Sequence, residues 1–423
     1  MTPEVKERIE QIRHGIVPEG YKKTKAGVVP ADWTEYAIGD CLERVERPVA
    51  VQPDEVYTQI GIRSHGKGLF YKEPVSGESL GNKAVFWIEP DCFVLNIVFA
   101  WEQAIGKTTQ NEVGMIGSHR FPMYRPVGDK IDIDYLISYL MTKRGKDILE
   151  AASPGGAGRN RTLGQERFMR SKLVLPPIDE QRYIADILTA QDKVIELKEK
   201  LLAEKERQKK YLMQQLLMRR KRLAGFGGKW RQTRIADIGE IVSGGTPDTK
   251  EPLYWDGTIP WCTPTDISSS GKYIYSTERY ITQMGLDNSA ASLVPEGSIL
   301  MCSRASVGPR CINKVPMATN QGFKSIICYE DFADTEFIFY LISVCERDFL
   351  RLANGSTFLE LSKCDFENYV TLIPGLKEQK AIAKILATAD REIDLLKQEI
   401  EQEKQKKKAL MQLLMTGIVR VNA

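Results

Sequence analysis

At 423 residues, 42% hydrophobic and 27% charged, the chain is too long for one ordinary domain and has the composition of a soluble globular protein of about two to four units. No run approaches the ~18 apolar residues of a membrane helix, and three histidines with eight scattered cysteines, none in a C-x-x-C pair, leave a zinc site almost without ligands. A net charge of +3 does not announce a nucleic-acid binder, so any such role must come from how the charge is distributed.

The chain opens Met1-Thr2-Pro3-Glu4-Val5-Lys6-Glu7-Arg8, which lacks the apolar core of a signal peptide. Scattered thiols then fit a reducing cytoplasm, which is the expected location. Residues 1–30 form an N-terminal segment whose His14-Gly15-Ile16-Val17 echoes Thr416-Gly417-Ile418-Val419 at the far end, so this segment is expected to pack near the C-terminal helix. Residues 31–175 read as a first globular domain: short β-branched and aromatic runs, such as Tyr57–Ile62 and Lys172–Leu175, are separated by Gly, Pro, Asn and Asp.

From Pro176 the pattern changes. Residues 176–217 contain no internal Gly or Pro, are rich in Glu, Lys, Gln, Leu and Ala, and predict one long helix within a spacer over 176–224. Leu188, Ile195, Leu202 and Leu212 mark a heptad-like seam that turns polar around 204–210. Phe226-Gly227-Gly228 then leads into a second globular block over 225–373, and a second spacer helix follows within 374–423 with its seam at Leu386, Ile393, Ile400 and Leu410. A helix of about 40 residues is ~60 Å long. The expected arrangement is an antiparallel pair acting as a spacer, with both seams also offered to partner proteins.

The two halves repeat at an offset of 198. Pro176/Pro374, Glu180/Glu378, Gln181/Gln379, Ile184/Ile382, Leu188/Leu386, Asp192/Asp390, Ile195/Ile393 and Lys209/Lys407 coincide without a gap. The globular blocks correspond more weakly, through Trp33/Trp230 and Phe168/Phe366. The predicted fold class is therefore α/β (α+β): two strand-rich domains, two long antiparallel coiled-coil-like helices and a pseudo-two-fold internal repeat. A shared framework with divergent loops suits reading two different things with one geometry. Charge is concentrated in the helices. Residues 176–224 carry 12 Lys/Arg against 8 Asp/Glu and 374–423 carry 10 against 7, whereas 31–175 has 18 against 19 and 225–373 has 13 against 18.

The helix-entry words Pro177-Ile178-Asp179-Glu180-Gln181 and Gly375-Leu376-Lys377-Glu378-Gln379, each followed by I-A-x-I-L, resemble the two central helical regions of the specificity subunits of type I restriction–modification systems. Ile241-Val242-Ser243-Gly244-Gly245-Thr246-Pro247, with Tyr254-Trp255 and Ile259-Pro260-Trp261 after it, resembles the start of a target-recognition domain of that family. The resemblance implies a non-catalytic subunit that recognises a bipartite duplex DNA target, each domain reading one half-site across a gap set by the helices. It further implies two modification subunits that bind S-adenosylmethionine and methylate adenine, and restriction subunits that consume ATP with magnesium; no cofactor is expected in this chain.

A search for catalysis in the residues agrees. No Asn/Asp-Pro-Pro-Tyr/Phe word occurs, and Gly106-Lys107-Thr108 lacks the first glycine of a phosphate loop, because that position is Trp101. Neither catalytic nor metal-binding residues are expected. Candidates for DNA contact are chosen by side-chain chemistry, since base edges and phosphates are met by Arg, Lys, Asn, Gln and small hydroxyls. In the first domain these are Arg63, Ser64, His65 and Lys67 in one glycine-softened loop, and Arg159, Asn160 and Arg161 in another. In the second they are Thr265, Asp266, Arg304, Lys324, Ser356 and Thr357. Each cluster also reads as an ordinary solvated turn. The competing function is a structural spacer that only organises partner proteins and binds no DNA selectively.

Overall fold

The computed structural model describes residues 2–25, 27–81, 83–155, 161–354 and 359–421, and the chain divides into two compact units. One comprises Met1–Lys198 with Glu399–Ala423, the other Glu199–Gln398. Arg159, Asn160, Ser356 and Thr357 lie outside the described residues.

The first unit contains helix α1 (Pro3–Arg13), strands β1 (Leu42–Val45), β2 (Phe93–Leu95), β3 (Ile105–Lys107) and β4 (Met123–Pro126), and helices α2 (Ile133–Leu140) and α3 (Lys143–Ala151). Helix α4 (Ile178–Leu217) starts in it. The second unit contains β5 (Gly239–Ser243), β6 (Ile299–Cys302), β7 (Arg310–Asn313), β8 (Phe323–Cys328) and helix α5 (Thr335–Leu352), and helix α6 (Leu376–Leu414) leaves it. The main sheets run β1-β4-β2-β3 and β5-β8-β6-β7, the same order twice, with Tyr273–Ile274 added parallel to β7 in the second. A further antiparallel pair sits at the foot of each unit, Thr34–Ala37 with Lys172–Leu175 and Arg231–Arg234 with Val370–Ile373. The duplication visible in the helices therefore extends through the sheets, although little of the sheet sequence repeats. Sheet order is held by burial and pairing, which many apolar sequences satisfy.

Both long helices enter on an identical buried device. Gln181 and Gln379 are fully buried. The Gln181 side-chain oxygen accepts from Asp132 N at 3.0 Å, and its nitrogen donates to the carbonyls of Lys130 and Pro176 at 2.9 Å each. Gln379 does the same with Asp334 N at 2.9 Å and the carbonyls of Phe332 and Pro374 at 3.0 and 2.9 Å. Asp132 and Asp334 in turn cap α2 and α5 through Tyr135 N and Phe337 N. One amide thus satisfies three otherwise orphaned backbone groups and locks a domain helix to a spacer helix.

Helices α4 and α6 pack antiparallel. Within the first unit Lys407 donates to Asp192 at 2.6 and 2.7 Å and Lys198 to Glu399 at 2.9 Å. Within the second, Lys205 meets Glu392 at 2.8 Å and Lys209 pairs with Asp390. The seam residues Leu188, Ile195, Leu386, Ile393 and Ile400 are buried, and Leu202, Leu212 and Leu410 are half-buried. Leu188 and Leu410 join the first unit's core, and Leu386 and Leu212 join the second's. Most of the seam is thus covered by the chain's own apolar groups, which leaves little of it free for partners.

The helices also end alike. Lys221 N donates to Gln215 O at 2.9 Å and Val419 N to Leu413 O at 3.2 Å, closing the same C-terminal turn 198 residues apart. Gly417 adopts φ +67° there, whereas Arg219 must adopt φ +59°, a left-handed conformation that costs an L side chain roughly 1 kcal/mol. Arg219→Gly is expected to stabilise the protein by about 0.5–1 kcal/mol, read as a higher urea midpoint at unchanged slope. No gain, or a loss, would show that the arginine side chain contributes more than its backbone costs.

Candidate nucleic-acid interface

The loop over residues 63–68 joins two antiparallel strands, Ile60–Ile62 and Leu69–Tyr71. His65, Gly66 and Gly68 all take positive φ, and His65 N and Gly66 N donate to Glu102 O and Gln103 O at 2.8 and 2.9 Å. The loop is therefore a fixed projection. Two of its candidates are already engaged: the Arg63 guanidinium donates to Leu69 O at 2.8 Å and lies 5.1 Å from the Phe70 ring, and Ser64 Oγ donates to Glu102 at 2.9 Å. His65 and Lys67 are exposed.

The second loop of this unit is closed by a bridge between Gly155 and Arg161, and the Arg161 guanidinium sits 5.4 Å from the Trp101 ring. Its counterpart in the second unit is closed by Asn354 and Glu360. Arg304 bridges to the same Glu360 through its backbone, and their side chains pair at 3.7 Å. The structure thus brings Arg304 to the base of the loop that carries Ser356 and Thr357.

Thr265 is exposed at the start of a short helix, Pro264–Ser269, but its neighbour Asp266 is not. Asp266 is 7% exposed, and its oxygens accept from Thr263 N at 2.8 Å, Thr263 Oγ1 at 2.6 Å and Glu278 N at 2.8 Å. Lys324, 5% exposed, sits at the start of β8 between Ser243 and Met301 on the flanking strands, where burial pulls its pKa down. Both are corrections. Asp266 is a turn-capping acid whose buried carboxylate accepts three internal hydrogen bonds, and Lys324 is enclosed by its sheet, so neither presents its polar group at the surface.

The Gly244-Gly245 word has a packing reason. A Cβ on Gly244 would fall 2.2 Å from Thr319 O, and one on Gly245 would fall 2.2 Å from the Ala290 carbonyl carbon, so backbone runs against backbone there. Trp261 Nε1 donates to Gly245 O at 2.9 Å and packs edge-on to Trp255, with ring centroids 5.1 Å apart. Over Trp255, at 3.7 Å, lies the exposed guanidinium of Arg279. Sequence reasoning misses Arg279, because nothing near it in the chain marks it; the two tryptophans are the only signal.

Among the described residues no three His, Cys, Asp or Glu side chains come together to hold a metal ion, and no helix is long and apolar enough to cross a membrane. The fold is one scaffold used twice, and in the first unit it carries a fixed polar loop over residues 63–68. The family profile described as type I restriction modification DNA specificity domain matches residues 90–207 and 228–405, and the chain belongs to that family. It is accordingly the DNA target-specificity subunit of a type I restriction–modification system, and not the subunit that carries out the chemistry.

The chain is 38% identical to the MjaIX specificity subunit of Methanocaldococcus jannaschii over 176 residues, 41% of this chain and 40% of that one. It is 25% identical to the putative MjaX specificity subunit of the same organism over 95% of this chain and 97% of that one. Among solved structures, an HsdS subunit from Thermoanaerobacter tengcongensis superposes with a TM-score of 0.54 at 18% identity, covering 92% of this chain and 98% of that one. A chain from a type I restriction–modification complex superposes with a TM-score of 0.60, also at 18% identity, over 92% and 99%. These structural likenesses show the shared fold.

Proposed function

We propose that each unit reads one half of a bipartite duplex target, that α4 and α6 set the unread gap, and that the chain works in the cytoplasm with two modification subunits and with restriction subunits. S-adenosylmethionine, ATP and magnesium then belong to those partners. In residue terms the recognition domains are 31–175 and 225–373, the spacers 176–224 and 374–423, and residues 1–30 brace the C-terminal spacer. The observation that carries this reading is the twofold use of one sheet order and one buried glutamine clasp beneath loops that differ. A framework kept while its loops diverge fits two different half-sites. His65, Lys67, Arg161, Thr265, Arg304 and Arg279 are the described side chains we assign to contact, with Arg159, Asn160, Ser356 and Thr357 assigned by loop chemistry alone.

Exchanging residues 31–175 for the same segment of a relative should change one half-site in the methylated-adenine map of the host and leave the other half-site and the gap unchanged. Loss of both half-sites from a chimaera that still folds and assembles would defeat independent reading.

For partner docking, the outward face of α4 replaces the seam. Tyr183, Ile187, Val194 and Leu197, all in the first unit, are 44, 36, 39 and 53% exposed at helical spacings of three, four and seven. Val194→Lys with Leu197→Lys should abolish co-purification of the modification subunit while moving the melting temperature little. Intact co-purification would put the docking face elsewhere.

A further inference from the structure

One wide cleft in the first unit, about 970 Å³, lies between the 63–68 loop, the junction of α2 and α3, and the last turns of α6. Its charge is almost all of one sign. Lys67 comes from the loop, Lys143 and Arg144 from the start of α3, and Lys404, Lys407 and Lys408 from α6. The lining contains one acid, Asp192, and Lys407 occupies both of its oxygens. Lys67, Lys143 and Lys408 are exposed and make no ion pair or hydrogen bond among the described residues.

The walls are fixed in place. Gly66, at φ +63°, lies against Met141 so closely that a Cβ there would come within 2.5 Å of its sulfur. Gln103, whose carbonyl holds the loop, donates its side-chain amide to Leu140 O at 2.8 Å. The chain then breaks between α2 and α3, where Thr142 Oγ1 accepts from Gly145 N at 3.1 Å, and the break presents Lys143 and Arg144 to the cleft. In the second unit α5 runs unbroken through the corresponding stretch. The duplicate cleft there has Glu206 where α6 has Lys404, is lined also by Asp390 and Asp394, and contains Lys272, whose amine lies over the rings of Tyr340, Tyr273 and Phe339. The shared scaffold thus gives two clefts, one of mixed sign and one basic.

We propose that the basic cleft of the first unit holds the sugar-phosphate backbone of duplex DNA beside the bases that unit reads. The inference rests on the DNA-reading function proposed above. Lysines are point charges without the planar fork that selects a base edge, so a set of them grips a polyanion and leaves sequence choice to other residues. The same cleft is continuous with His65 and Lys67, the exposed tip of a base-reading candidate loop.

The test is a triple substitution, Lys67→Gln, Lys143→Gln and Lys408→Gln, in the full chain, alone and assembled with its modification subunits. Affinity is measured against salt on a duplex carrying the methylated target and on a scrambled duplex of equal length. Each lost phosphate contact flattens the log–log salt slope by ~0.9, so the slope should become shallower by roughly 2–3 on both duplexes. Affinity should fall by a like factor on each, with the target-to-scrambled ratio held within about twofold. An unchanged slope, or a loss confined to the target duplex, would overturn the proposal. So would loss of the modification subunit with an unchanged slope for the lone chain, since the cleft would then hold an acidic protein segment. A wild-type complex that does not distinguish the two duplexes would defeat the functional reading itself, whatever the variant does.

Discussion

Arg222→Ala is expected to destabilise the second unit by about 3–5 kcal/mol, the cost of leaving a buried carboxylate without its partner. The carboxylate is Glu378, 5% exposed, which accepts from the Arg222 guanidinium at 3.1 and 2.6 Å. The duplicate in the first unit is Arg420 on Glu180, at 2.7 and 2.9 Å, but there the carboxylate also accepts from Trp33 Nε1 at 3.2 Å. The matching indole nitrogen of Trp230 has no partner in the second unit. Arg420→Ala therefore leaves its carboxylate one hydrogen bond and should cost less than Arg222→Ala. Adding Glu378→Gln to Arg222→Ala should recover much of the loss, because a neutral amide is cheaper to bury than a charge. Urea unfolding gives all of these values, and a loss below about 1 kcal/mol for Arg222→Ala would show that Glu378 finds water or another partner.

Arg420 also holds Asp32 at 3.0 and 2.7 Å, keeping that carboxyl below its ordinary pKa of 3.8. A pKa lowered on folding gives stability that is present above the unfolded value and lost as pH falls through the folded one. The gap between wild type and Arg420→Ala should accordingly narrow below about pH 4, and a gap that widened in acid would contradict the pairing.

A matched deletion of seven residues from each long helix, Glu196–Leu202 and Leu396–Gln402, should shorten the unread gap in the DNA target and leave the letters of both half-sites unchanged. Taking residues from both strands of an antiparallel pair keeps the flanking contacts opposite one another: Asp192 with Lys407, Lys205 with Glu392 and Lys209 with Asp390 survive. Seven residues are nearly two turns, so the seam stays within ~20° of its original face while each helix loses ~10 Å. At ~3.4 Å per base pair the expected change is about three base pairs. A matched deletion of five residues turns the helix by a further ~140° and should abolish methylation. Mapping methylated adenines reads both outcomes. An unchanged gap in a methylating seven-residue variant would show that something other than the helices sets the distance.

The long helices, their polar waist and the duplication are all legible in the residues themselves, because they are local signals. A run without Gly or Pro and an apolar period of three and four are written in neighbouring residues, and a repeat is found by sliding the chain along itself. The family follows from the same words. The Glu-Gln word marks both helix entries, but why an amide belongs there is not legible, because its three partners for Gln379 lie on Phe332, Asp334 and Pro374.

What only the tertiary structure decided is which polar and apolar groups remain available to anything outside the chain. Asp266 and Lys324 have the side-chain chemistry of DNA contacts and are enclosed, while Arg279, unmarked in the sequence, is exposed over a tryptophan. The seam from Leu188 to Leu410 has the period of a docking face and is mostly covered from within. Lys67, Lys143 and Lys408 are far apart in a chain whose recognition blocks carry no net positive charge, yet they share one cleft. The physical reason is common to all four. Periodicity and propensity depend on residues a few positions away, whereas burial and the local field depend on whatever the fold brings alongside, from a dozen to hundreds of positions away.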